Sequence, residues 1–141
     1  MDHDNYPDSY IRGILNTVKT IAMVGISPKD NRPSYFAFKY LLERGYRMIP
    51  FNPVEAGGDI LGQKVYAKLA DIPEPVDIVD VFRRSEEAGK AVDEAIAIGA
   101  QAVWLQEGVI DRAAAQRALD AGLLVVMDRC WLKEHMRHGR R

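Results

Sequence analysis

The sequence contains one cysteine, Cys130, so no disulfide can close within the chain and a covalently stapled fold is excluded. That lone thiol and three histidines near the termini (His3, His135, His138) leave too few ligands for a structural zinc site. No apolar run approaches the roughly 20 residues that span a bilayer. The polar first ten residues predict no secretory leader, so a cytoplasmic location is expected. Charge of one sign is also missing: 19 Lys and Arg face 20 Asp and Glu, a net charge of −1. Neither nucleic acid nor an anionic membrane is therefore expected as a partner. Internal repeats, low-complexity tracts and interdomain linkers are absent as well.

What remains is an ordinary globular composition, 48% hydrophobic and 28% charged over 141 residues, enough for one well-buried domain spanning 1–141. Five apolar runs read as strands: 21–25, 46–51, 76–82 (interrupted by Asp77 and Asp80), 102–105 and 123–127. Helices alternate with them. Tyr10, Ile11, Ile14, Leu15 and Val18 share one face of a helix at about 8–19, capped by Asp8 or Ser9. Pro33 suits the first turn of a helix that Gly45 ends. Ser85 is a candidate cap for a helix carrying Glu86 and Glu87 in its first turn, and Asp111 for the Ala-rich stretch that Gly122 ends. Segment 54–75 has no strong periodicity; a short strand at 64–66 and a helical turn at 67–72 are expected. The last residues, with Lys133, Arg137, Arg140 and Arg141, read as a solvated basic tail over about 133–141.

This alternation calls for an α/β fold, a Rossmann-like, doubly wound parallel sheet of about five strands, expected in the order 3-2-1-4-5. Ligands in such sheets bind beyond the carboxyl ends of the strands, which directs attention to four loops. The first holds Gly25, Ile26, Ser27, Pro28, Lys29, Arg32 and Ser34. It lacks the spacing G-x-G-x-x-G, yet offers free amides at a helix start and two cations, a combination that suits phosphate. The second strand ends in Pro50, Phe51, Asn52 and Pro53, without the carboxylate that holds an unmodified ribose; this favours coenzyme A or NADP over NAD. The third exits into Phe82, Arg83 and Arg84, an aromatic beside a guanidinium pair. The fourth exits into Gln106, Glu107 and Gly108 after Leu105. Each loop also has a plainer structural reading as a turn, a core aromatic or solvated charge.

The ordered set Ile21–Ser27, Ile49–Pro53, Gly62 with Val65-Tyr66, Val76–Phe82 and Trp104–Gly108 closely resembles the stand-alone CoA-binding domain proteins of bacteria and archaea. More distantly it is similar to the CoA-binding domain of the succinyl-CoA synthetase α subunit. The resemblance covers roughly residues 20–132 and implies a cytoplasmic, nucleotide-binding module for CoA or a short acyl-CoA. It implies that residues 26–29 hold the phosphates with Arg32 and Ser34 nearby, that Pro50–Pro53 flank the adenosine, and that Leu105, Gln106 and Glu107 approach the pantetheine. Two features depart from the synthetases. Their loop after the second strand carries a basic residue where this chain has Val54, Glu55 and Ala56. Their ligase reaction uses a phosphorylated histidine on a following domain, which this sequence does not contain.

Cys130 follows the fifth strand beside Arg129 and Trp131, where its thiol is either a packed small hydrophobe or a group reactive toward the CoA thiol. With no catalytic constellation visible, the expectation is non-catalytic CoA binding. Two alternatives stand beside it: a nicotinamide-dinucleotide redox sensor, and an accessory CoA-site subunit for a separately encoded synthetase partner. A homodimer through the apolar face of the N-terminal helix is also possible, unless that face packs on the sheet.

Overall fold

A computed structural model describes residues 1–138; Arg140 and Arg141 lie outside the described residues. The elements are α1 (Asp8–Thr17), β1 (Thr20–Val24), α2 (Pro33–Glu43), β2 (Arg47–Phe51), β3 (Asp59–Ile60), β4 (Gln63–Lys64), β5 (Ile78–Val81), α3 (Ser85–Ala97), β6 (Ala102–Leu105), α4 (Arg112–Asp120), β7 (Leu124–Val126) and α5 (Trp131–Arg137). Five strands form one parallel sheet in the order β2-β1-β5-β6-β7, while β3 and β4 make a separate antiparallel pair.

Side chains alternate across this sheet. Ala22, Val24, Val79, Val81, Val103 and Leu105 pack toward α3 and α4. Ile21, Met23, Ile78, Ala102 and Trp104 pack toward α1, α2 and α5. Both faces are covered, which is why the strands read as continuous apolar runs.

The strand order corrects the expected 3-2-1-4-5. The third long strand, β5, pairs with β1 and not with β2. The outer edge of β2 is already occupied, because Tyr66 bridges Phe51 in parallel register and its amide donates to Pro50 O at 3.0 Å. That contact also explains a proline inside a strand: its carbonyl faces the outer edge, so the missing N–H faces outward too and removes no bond to β1. Arg47 anchors the rest of segment 54–75, with Nε and Nη2 each 3.1 Å from a Glu74 oxygen and Nη1 2.8 Å from Gln63 Oε1. The expected strand at 64–66 is thus divided between the β3–β4 hairpin and the Tyr66 bridge, and the helical turn shrinks to a 3-10 turn at Leu69–Asp71.

Three further expectations change. Helix α1 stops at Thr17, and Pro7 occupies the capping position, with Asp8 inside the first turn. Its apolar face, Ile11, Ile14 and Leu15, is buried in the core, so it offers no dimer surface. The described part of the basic tail is helical as far as Arg137: Lys133 pairs with Glu107 at 2.9 Å, and Arg137 with Asp8 at 2.9 Å. Asp111 does cap α4, accepting from Ala114 N at 3.0 Å. Ser85 does not cap α3; its Oγ instead donates to Gly108 O and accepts from Ile110 N, tying two loops together. No helix of the described residues is long and apolar enough to cross a membrane.

Candidate ligand site at the carboxyl edge of the sheet

Strand order reverses between β1 and β5, with α2 on one face and α3 on the other. A crevice is expected at such a switch point, outside the carboxyl ends of the strands. The candidate site therefore centres on the ends of β1 and β5.

Gly25 leaves β1 at φ +86°, and its amide donates to Phe51 O at 3.0 Å. A Cβ at this position would lie 2.1 Å from Phe82 O. Only glycine lets the loops after β1 and β5 touch through their backbones. Arg83 is held close by, since its Cδ would lie 3.3 Å from the same Cβ.

Three joined clefts run along this edge. The first, of about 650 Å³, has Val24, Phe51, Pro53 and Ala91 as apolar lining and Lys68, Arg83 and Lys90 as cations. Glu87 and Glu94 also line it. The second, of about 350 Å³, is formed by Gly25, Ser27, Lys29, Arg32, Ser34 and Phe82. The third, of about 800 Å³, runs past Pro33, Phe82, Arg84, Gln106, Glu107 and Cys130, with Gly108 in its wall. Phe82 is shared by the second and third clefts, and Arg83 by the first and third.

Cations around these clefts are uncommitted. Lys29, Arg32, Lys68, Arg83 and Lys90 make no ion pair among the described residues. Arg84 differs: its Nη2 is 2.8 Å from Glu87 Oε1, a hydrogen-bonded pair that raises the guanidinium pKa and lowers that of the carboxyl.

Several residues singled out in the sequence serve the frame. Ser34 Oγ accepts from Ser27 N at 3.1 Å, and Asn52 Nδ2 donates to Ile26 O at 2.8 Å. Gln106 Nε2 donates to Asp80 Oδ1 at 2.6 Å, and Gln106 Oε1 accepts from Trp131 N at 3.4 Å. The side chains of Ile26, Pro50 and Leu105 are buried and line none of the three clefts; Pro28 is exposed and lines none either. Lys68 and Lys90 are the cations that sequence reasoning missed. Lys68 lies in the aperiodic segment, and Lys90 was hidden among the surface charges of α3. Nothing in the sequence set either apart.

Asp80 is fully buried, and burial pushes its carboxyl up to about 7 against the opposing pull of the Gln106 hydrogen bond. Its Oδ2 has no hydrogen-bond partner among the described residues.

Comparison with known proteins identifies relatives of this fold and sequence. The chain is 38% identical to YneT of Bacillus subtilis (strain 168) over 120 residues, 85% of this chain and 87% of that protein. A solved structure from Pyrococcus horikoshii OT3 matches with a TM-score of 0.89 and 40% identity, covering 97% of this chain and 95% of that one. The dinucleotide-forming acetyl-coenzyme A synthetase 1 of Ca. Korarchaeum cryptofilum shares the fold at TM-score 0.68 and 21% identity, over 78% of this chain and 26% of that one. The model of the CoA binding domain family matches residues 19–136, and the chain belongs to that family.

Proposed function

We propose that the chain binds coenzyme A or a short acyl-CoA along the joined clefts, as a binding module without chemistry of its own. One observation carries this reading: five uncommitted cations, Lys29, Arg32, Lys68, Arg83 and Lys90, line clefts that are joined through Phe82 and Arg83. The pyrophosphate lies against Gly25, Ser27, Lys29 and Arg32, with Arg83 across the crevice. Adenosine extends over Phe51, Asn52 and Pro53 into the first cleft. The pantetheine follows the third cleft past Gln106, Glu107 and Gly108, bringing its thiol end toward Cys130.

Calorimetric titration of the full chain with CoA, acetyl-CoA and NADH tests the reading. Saturable binding of CoA or acetyl-CoA, with NADH much weaker, is expected. Preference for NADH would replace this reading with the nicotinamide-dinucleotide one, and binding of none would remove both. An accessory role beside a synthetase partner uses the same site and requires the same binding.

A further inference from the structure

The loop after β2 contributes no cation to the first cleft. Val54 is exposed, and its amide donates to Asn52 Oδ1 at 3.0 Å in a side-chain-closed turn, with Glu55 and Ala56 following. The charge in this cleft comes from elsewhere. Lys68 enters from the residue before the 3-10 turn, and Lys90 from α3, which that turn packs against. Both side chains are exposed and free of ion pairs among the described residues. Arg83 is placed differently. Its stem lies against Gly25 and it borders the third cleft as well, so it belongs with the phosphates at the crevice centre.

Of the two carboxylates in the cleft, Glu87 is neutralised by Arg84 at 2.8 Å, and Glu94 stands one helical turn beyond Lys90. The two ammonium groups line the same cleft of about 650 Å³ as the apolar Val24, Phe51, Pro53 and Ala91. An ammonium offers three donors and a full charge, matched to the dianionic end of a phosphate monoester.

We infer that Lys68 and Lys90 read a phosphate monoester on the ligand's adenosine ribose, the 3′-phosphate of CoA. This rests on the CoA reading above and assigns its nucleotide specificity. It also separates two jobs along the site: the crevice centre holds the pyrophosphate common to many nucleotides, and the two lysines select the one that is phosphorylated on its ribose.

The test is titration of the full chain with CoA and dephospho-CoA, using wild type, Lys68→Met, Lys90→Met, the double variant, and Lys39→Met as a control on α2. Wild type is expected to prefer CoA by roughly tenfold or more. Each single variant lowers CoA affinity several-fold without changing that for dephospho-CoA, and the double variant brings the ratio near one. Lys39→Met leaves both affinities as they were. If the double variant keeps the preference, or wild type binds the two ligands equally, the inference fails and the CoA reading stands. Equal loss of both ligands in the double variant also overturns the assignment, because the lysines would then not be specific to the ribose phosphate. If wild type binds neither ligand, both conclusions fall.

Discussion

The Tyr10 hydroxyl meets both backbone groups of Val125, donating to the carbonyl at 2.9 Å and accepting from the amide at 2.8 Å. Val125 lies on β7, the outermost strand, so one phenol occupies the backbone sites through which another chain would add a strand. Tyr6, stacked 5.8 Å from Tyr10, does the same for the amide of Met127 at 2.9 Å. Burial pushes the Tyr6 phenol up to about 12, which keeps the hydroxyl protonated throughout the working range. Tyr10→Phe is expected to cost about 1–2 kcal/mol in urea unfolding, since it leaves two edge groups without their partner. It should also raise self-association in light scattering; an unchanged midpoint would show that water replaces the phenol at no cost.

Asp80 makes stability depend on pH in the direction opposite to a salt-bridged carboxylate. Its folded-state pKa, about 7, lies above the ordinary value of 3.8, so the unfolded chain releases this proton first. The contribution is fully present below about pH 4, is lost as pH rises toward 7, and stays lost above it. Wild type should therefore lose stability relative to Asp80→Asn across that window, by an amount on the order of a few kcal/mol. Parallel unfolding curves for the two proteins from pH 4 to 8 would show that the carboxyl is not held neutral.

Gly25→Ala is expected to be severe. The added Cβ meets the Phe82 carbonyl, a backbone atom that cannot swing away, at a φ of +86° that alanine rarely adopts. A loss of roughly 3 kcal/mol or more in folding stability is the expected outcome. A stable variant with altered ligand affinity would mean that the two loops separate at little cost.

Arg83→Met should weaken CoA and dephospho-CoA alike, by roughly tenfold, because the pyrophosphate is common to both. Retained affinity for both ligands would remove Arg83 from the phosphate site.

Cys130 gives a footprint of the pantetheine path. The thiol is part-exposed and lines the third cleft, so saturating CoA should slow its alkylation by iodoacetamide several-fold. An unchanged labelling rate would place the ligand's sulfur end elsewhere.

Much of the fold was legible because local and global signals coincide. Ala102–Leu105 is apolar at every position, and the structure makes all four a buried strand. Pro33 stands at the first position of α2, and Asp111 caps α4. Strand order was not legible, because it depends on Tyr66 reaching the edge of β2 after a segment, 52–65, that carries no strong periodic pattern. The loops of the site were found by their place after strands. The roles of Asn52, Ser34 and Gln106 were not, since an amide or hydroxyl at a loop reads equally as a ligand contact or as a brace. Lys68 and Lys90 escaped for a related reason: a surface lysine acquires meaning only from what stands opposite it.

The braces at the carboxyl edge have a consequence for kinetics. Asn52 ties the first loop to the second, Ser34 closes the first on itself, Ser85 joins α3 to the loop after β6, and Asp128 Oδ1 accepts from Gly108 N at 2.7 Å. Most of the walls are thus ordered before any ligand arrives, so association draws little on chain entropy and needs no slow rearrangement. The exception is 28–32, whose exposed residues are joined mainly by Lys29 N to Ser27 Oγ at 3.2 Å and Arg32 N to Lys29 O at 3.2 Å. Under the proposed function, that short span is where ordering on binding is expected, against a frame that is already braced.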